Sequence, residues 1–153
     1  MTDSNAEMNH LIETDHKELL ASLDKLEVAF DEIPDHSKFM NWKVSRLWQL
    51  RDFYNQLQKH FDLEEHGGYN EKLARQAPHL ISKVEHLEEE HRKITSDLNH
   101  ILNVMKGIDH AGSAKIERVK CRVENLITFV RKHEATENGV IQEAYYQDYG
   151  IGD

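Results

Sequence analysis

The chain has 153 residues, a length typical of one domain with a proper hydrophobic core. A formal net charge of −9 argues against nucleic acid or an anionic membrane surface as a partner. The single cysteine, Cys121, excludes an intramolecular disulfide framework and suits a reducing compartment such as the cytoplasm. We also expect no secretory signal peptide and no membrane span, because the N-terminus is polar and no long apolar run is present.

The first predicted helix follows a capping box formed by Ser4 and Glu7. Its apolar residues recur at alternating spacings of three and four until Pro34 ends the helix. They are Ile12, Leu19, Leu23, Leu26, Phe30 and Ile33. His16 lies in the same seam, at a position where leucine is expected.

The second predicted helix begins near Phe39 to Trp42 and is ended by the helix-breaking pair Gly67-Gly68. Its seam consists of Leu47, Leu50, Tyr54, Leu57, Phe61 and Glu64. His60 lies one step round the helix from that seam. Glu65 lies 100° round the helix from Glu64 and is expected at the surface or the helix end. We interpret Trp48 as a packing residue, and the polar stretch 69–77 that follows as a helical turn.

Pro78 suits the first turn of a third helix, in which His91 lies on the apolar seam. After a loop at 107–113, the fourth helix has the most regular pattern of all. Its seam is Ile116, Val119, Val123, Leu126, Val130, His133, Glu137, Val140 and Ala144. Four long helices with short connections predict an all-α fold, an antiparallel up-down-up-down four-helix bundle. We expect one domain over 1–153, with its core at about 7–146 and a frayed tail at 147–153.

Each of the four seams carries a histidine at or beside a core position. These histidines are His16, His60, His91 and His133, and two helices add a carboxylate one turn later, Glu64 and Glu137. A rise of about 1.5 Å per residue places the histidines in two layers less than two turns apart. Burying such groups without partners costs several kcal/mol each. A metal site of the iron, zinc or manganese type is therefore predicted; the alternative is a metal-free bundle with a pH-sensitive histidine core.

The pattern His16, His60-x-x-x-Glu64, His91, His133-x-x-x-Glu137 resembles the hemerythrin-like, or HHE cation-binding, domain family. The resemblance extends over about residues 8–146. It implies a bundle that holds two non-heme iron ions, a di-iron centre, and that binds or senses oxygen, nitric oxide, peroxide or iron. By the same resemblance, Glu64 and Glu137 would bridge the irons. His16 and His60 would serve one iron, and His91 and His133 the other.

The sequence departs from the oxygen-carrying members of that family in two ways. They have His-x-x-x-His on the third helix, where this chain has Leu87 before His91, and they space the last histidine and carboxylate by five residues instead of four. One iron therefore lacks a protein ligand that the carriers possess. Water, an exogenous ligand, Glu88 or Glu90 could fill that position, or His86 if the helix were irregular.

This open position argues against simple reversible oxygen carriage and favours sensing, redox chemistry or iron handling. A di-iron redox enzyme, of the peroxidase or nitric-oxide-stress iron-repair type, is the alternative. No catalytic residue is assigned, because Cys121 has no histidine or carboxylate at catalytic spacing and the chain has no Ser/His/Asp signature.

Overall fold

The computed structural model describes the backbone of residues 2–32 and 34–150, and the side chains of residues 7–32 and 34–144. Within these residues the chain is all-helical. The helices are α1 (Thr2–Asp31), α2 (Phe39–Glu65), α3 (Tyr69–Gln76), α4 (Ile81–Lys106) and α5 (Ala114–Gly150). Single 3-10 turns at His36–Lys38 and Pro78–Leu80 precede α2 and α4.

The four long helices pack in a ring. Helix α1 contacts α2 and α5, and α4 contacts the same two helices from the other side. The predicted seams are the surfaces that meet, because most of their apolar residues are buried. Leu47 and Tyr54 of the second seam are only partly buried. No described helix is long and apolar enough to cross a membrane.

Two apolar clusters fill the ring, and a polar layer separates them. On α1, buried Ile12 belongs to one cluster and buried Leu19 to the other, with His16 between them. The same alternation occurs on α4, where His91 lies between Leu87 and Ile94. The polar residues thus form one layer across the bundle, with hydrophobic packing on either side of it.

The stretch 69–77 forms more structure than a turn. It folds as the eight-residue helix α3, whose buried residues Tyr69, Asn70 and Leu73 cover the smaller cluster. Gly68 precedes the helix with φ of 84°, a left-handed conformation that a residue with a side chain adopts only under strain. The helix therefore closes the end of the bundle nearest to Leu87.

Lysine side chains tie the helix ends together. Lys43 Nζ near the start of α2 donates hydrogen bonds to the carbonyl oxygens of Lys106 (3.0 Å) and Ile108 (2.7 Å) at the end of α4. Lys120 Nζ near the start of α5 donates to the carbonyl oxygen of Asp31 (3.3 Å) at the end of α1. These contacts satisfy carbonyl groups that have no partner inside their own helices.

Some local predictions require correction. Trp48 is not a packing residue, because 63% of it is exposed. Helix α1 already begins at Thr2, so Ser4 lies inside the helix and is not its N-cap. The side chain of Ser4, all of Ile33 and residues 151–153 of the predicted tail lie outside the described residues, whereas 147–150 continue α5.

Candidate metal centre

Four buried histidines, one from each long helix, line the polar layer. Their exposed fractions are 4% for His16, 2% for His60, 3% for His91 and 1% for His133. They form two pairs of rings packed edge to face. The ring centroids are 4.8 Å apart in the His16–His60 pair and 4.9 Å apart in the His91–His133 pair. The bundle thus contains two similar half-sites next to each other.

The first half-site, which we call site A, consists of His16, His60, Glu134 and the Oε1 atom of Glu137. His16 Nε2 lies 2.9 Å from Glu137 Oε1 and 3.2 Å from Glu134 Oε2. His60 Nε2 lies 3.5 Å from Glu134 Oε1. One potential ligand atom from each of the four residues lies within 4.8 Å of all the others, close enough to hold a metal ion.

The second half-site, site B, consists of His91, His133 and the Oε2 atom of Glu137. His133 Nε2 lies 3.3 Å from that oxygen, and the ligand atoms of the three residues also lie within 4.8 Å of one another. Glu137 therefore directs one oxygen towards site A and the other towards site B.

Glu64 lies between the two half-sites. Its Oε1 atom is 2.9 Å from His60 Nε2 in site A and 3.8 Å from His91 Nε2 in site B. The fold thus brings all six residues predicted as ligands, His16, His60, Glu64, His91, His133 and Glu137, into one cluster with Glu134. Their roles as ligands remain a prediction.

The Nδ1 atoms of the histidines face oxygen atoms outside the centre. The hydrogen-bonded partners are Asn138 for His16 (3.0 Å), Glu65 for His91 (3.2 Å) and Glu90 for His133 (2.9 Å). His60 Nδ1 faces Asp15 at 3.8 Å, too far for a hydrogen bond. A histidine that donates its Nδ1–H outwards keeps the lone pair of Nε2 free on the inside, which is the usual arrangement of a metal-binding histidine.

Many of the inward polar atoms have no hydrogen-bond partner within the described part of the chain. They are His60 Nε2, Glu64 Oε1, His91 Nε2, His133 Nε2, both carboxylate oxygens of Glu134 and Glu137 Oε2. Leaving such atoms unpaired in a protein core is costly, and native proteins rarely do so. A metal cation among them would satisfy nitrogen and oxygen lone pairs together, so the donor set fits a metal of the iron, zinc or manganese type.

The carboxylates change the electrostatics of site A. Burial alone would lower the pKa of His16, but its hydrogen bond to Glu137 and the charges of Glu134 and Glu137 outweigh burial and raise that pKa. Burial also opposes protonation of His60, and its contacts with Glu134, Glu137 and Asp15 again raise the pKa. Site A therefore attracts positive charge.

Site B behaves in the opposite way. Burial, together with the neighbouring His133 and His60, lowers the pKa of His91 to about 2. Burial also lowers the pKa of His133, although the hydrogen bond to Glu90 partly offsets the effect. Both imidazoles are consequently neutral at physiological pH, the state that a metal ligand requires.

Glu134 was not predicted as a site residue, yet only 1% of it is exposed and it lies inside site A. The desolvation of Glu134 would raise its pKa, but the adjacent His60, His16 and His133 lower it, so the group is a carboxylate. The position of Glu134 in the sequence does indicate that it is buried. Glu134 follows the buried residues Ile127 and Val130 by seven and four positions, and so continues an apolar stripe of α5.

The residues considered for the open ligand position lie elsewhere. The side chain of His86 is 69% exposed, and Glu88 accepts a hydrogen bond from Asn70. Glu90 lies beyond the His133 ring, on its Nδ1 side. Glu65, expected at the surface, instead accepts a hydrogen bond from His91 Nδ1. Leu87 is buried in the smaller apolar cluster and offers no donor atom.

Comparison with known proteins agrees with this geometry. Residues 7–145 match the family model described as the hemerythrin HHE cation binding domain. The matched residues include both half-sites. Searches of the curated proteins and of the solved structures gave no match. The family match extends over most of the chain, and the chain therefore belongs to the hemerythrin HHE cation-binding domain family.

Proposed function

We propose that this protein holds a non-heme di-iron centre and uses it to bind or sense a small ligand such as oxygen, nitric oxide or peroxide, or to sense iron. When bound, the two irons supply a redox-active pair of ions that such ligands can reach. Six residues would hold them: His16, His60, Glu64, His91, His133 and Glu137. Glu137 and Glu64 would be shared between the irons, while each histidine pair would serve one.

The observation that carries this proposal is the convergence of buried ligand atoms from four helices on one layer, most of them without a hydrogen-bond partner among the described residues. One isolated core histidine is commonly satisfied by a backbone carbonyl group. Here the rings instead aim Nε2 at carboxylates, and three of them donate Nδ1–H to an oxygen outside the centre. That double contact is typical of histidines that bind metals.

Iron is proposed over zinc or manganese because of the family, since a mixed nitrogen and carboxylate donor set accepts all three. Small ligands are proposed because site B has few protein donors. Leu87 provides an apolar side chain one helical turn before His91, where a further ligand could have come from. A metal at site B would therefore have a coordination position for which Leu87 supplies no ligand atom.

The same open position supports a second candidate, a di-iron redox enzyme of the peroxidase or nitric-oxide-stress iron-repair type. An enzyme would show turnover with peroxide or nitric oxide, whereas a sensor or carrier would bind the ligand reversibly. The third candidate is a metal-free bundle that responds to pH, in which protonated His16 and His60 would pair with the carboxylate oxygens of Glu134.

We also propose that consecutive long helices run antiparallel, as an up-down-up-down bundle. The contacts of Lys43 with the end of α4 and of Lys120 with the end of α1 support this order. A cytoplasmic location and the absence of nucleic-acid and membrane partners remain predictions from the single cysteine and the acidic charge.

Anaerobic loading with ferrous iron, followed by elemental analysis and absorption spectra before and after exposure to air, tests the proposal. We expect two irons per chain and a ligand-to-metal absorption band, both reduced in His91→Ala. Wild-type protein that retains no iron and shows no such band would overturn it. An unchanged melting temperature in the presence of a chelator would favour the metal-free alternative.

A further inference from the structure

We propose that the two metal positions are unequal: this chain holds one divalent cation firmly at site A and exchanges a second one at site B. The proposal rests on the metal-binding function proposed above and concerns the order and strength of loading. The residue that creates the difference is Glu134, which contributes to site A alone.

The donor sets differ by a whole carboxylate. Site A combines two imidazoles with the carboxylates of Glu134 and Glu137. Site B combines two imidazoles with the remaining oxygen of Glu137. Without counting Glu64, which lies between the sites, four residues could thus bind a cation at site A and three at site B.

Charge neutralisation favours the same order. Glu134 and Glu137 together balance the double charge of one ferrous ion at site A. A second ferrous ion would then have Glu64 as its only further carboxylate inside the centre among the residues whose side chains are described, and a buried charge that is not balanced is costly. Glu65 and Glu90 lie beyond the rings of site B and are 25% and 20% exposed, so they act from a greater distance and are partly screened by water.

Site B also lies beside a groove on the surface. A groove of about 510 Å³ between α2 and α4 is lined by His91 of site B, its partner Glu65 and the ring of Phe61. Phe61 stacks on His91 with ring centroids 3.8 Å apart. Among the described residues, none from site A lines this groove. A cation held by His91 would be separated from this groove by the imidazole ring, which suits the exchangeable position.

Anaerobic titration of the metal-free full chain with ferrous iron, followed by calorimetry and native mass spectrometry, tests the proposal. We expect two binding steps whose dissociation constants differ by at least about tenfold. When a chelator is added to the loaded protein, one iron should leave at least about tenfold faster than the other. Two steps of equal affinity, with both irons leaving at one rate, would overturn the inference and leave the di-iron proposal intact.

Variants identify which site holds the firmly bound iron. Glu134→Gln should weaken the first step by at least about tenfold, whereas His133→Ala should remove the second step. The matched control is Glu124→Gln, which removes an exposed carboxylate from the same helix and should leave both steps unchanged. Identical titrations of Glu134→Gln and Glu124→Gln would overturn the inference.

Folding of each variant is checked by circular dichroism in the presence of chelator. If Glu134→Gln does not fold, Glu134→Asp is used instead. The aspartate keeps the negative charge, but its shorter side chain moves the carboxylate oxygens away from site A. Glu134→Asp should weaken the first step, and an unchanged first step in that variant would count against the role of Glu134. A wild-type protein that binds no iron at all would instead refute the proposed function itself.

Discussion

Sites A and B each have one pair of histidines and share Glu137, but their other carboxylates lie on opposite sides of the rings. In site A the carboxylates of Glu134 and Glu137 face the inner Nε2 atoms. In site B the carboxylates of Glu65 and Glu90 face the outer Nδ1 atoms. An inner carboxylate can bind the metal directly, whereas an outer one orients the ring and raises its basicity. Similar ring geometry can therefore give two metal positions of different strength.

The pKa shifts express this difference before any metal binds. Carboxylates on the inside raise the pKa of His16 and His60, so site A already attracts positive charge. Burial beside other histidines lowers the pKa of His91 and His133, so site B does not. Because a metal-binding histidine must be neutral, a cation at site A also competes with protons there, whereas the histidines of site B are already neutral.

The largest effect is expected from Glu137→Ala, because Glu137 is the residue that both sites share. Its two oxygens lie 2.9 Å from His16 Nε2 and 3.3 Å from His133 Nε2. We expect loss of both irons, measured as iron retained per chain after desalting. Glu124→Ala on the same helix serves as the control and should retain both. Retention of two irons by Glu137→Ala would show that the sites do not share this residue.

Leu87→His should make the two sites more alike. A histidine four residues before His91 faces the same side of α4 and adds a donor to site B. We expect the second iron to bind at least about tenfold more tightly. The metal-free variant should lose about 1–3 kcal/mol of stability, because an imidazole would replace leucine in an apolar cluster. A second binding step identical to that of wild type would show that Leu87 does not border site B.

Removing an outer partner should weaken one site only. Glu90→Ala takes away the hydrogen bond to His133 Nδ1, and Asn138→Ala takes away the one to His16 Nδ1. We expect Glu90→Ala to weaken the second iron step by about tenfold and Asn138→Ala to weaken the first by a similar factor. If each variant changed both steps equally, the two half-sites would not be independent.

The smallest effect concerns the stability of the metal-free protein. Unfolded His91 takes up a proton near pH 6.5, whereas folded His91 does so only near pH 2. The unfolded state therefore binds more protons between these values, and the free energy of unfolding falls as the pH drops. For His91 the loss between pH 7.5 and 5.5 is about 1.4 kcal/mol. The lowered pKa of His133 acts in the same direction.

Site A contributes the opposite slope. The raised pKa values of His16 and His60 add stability that is complete below pH 6.5 and is lost as the pH rises through the folded values. Urea unfolding in the presence of chelator, from pH 5.5 to 8.5, measures the free energy of unfolding on both sides of pH 6.5. His91→Gln should reduce its pH dependence on the acidic side, and His16→Gln should reduce it on the alkaline side. The same pH profile in both variants would contradict the assignment.

The main features of the fold and most of the centre follow from helical periodicity. His16 and His91 lie in register with leucines and isoleucines on their helices, so their burial could be predicted from spacing alone. Gly68 follows soon after the end of α2, and Pro78 opens the 3-10 turn that precedes α4, so both residues mark boundaries that the sequence predicts. The amphipathic spacing determines which face of each helix enters the core.

The missed features depend on contacts between helices, which spacing on one helix does not contain. Glu65 was placed at the surface because it lies 100° round α2 from Glu64, but α4 packs on that side and brings His91 to it. Glu134 was overlooked because it directly follows His133. Its burial could have been predicted from the stripe that it shares with Ile127 on α5, whereas its contact with His60 depends on the neighbouring helix. Helix α3 was underestimated because only three of its eight residues are buried.

Anomalous diffraction at the iron edge from crystals loaded anaerobically with ferrous iron tests the central claim most directly. With one equivalent of iron, we expect one peak among His16, His60 and Glu134. With excess iron, a second peak should appear beside His91 and His133, with Glu137 between the two. Iron peaks only at the protein surface, with none inside the bundle, would contradict the account.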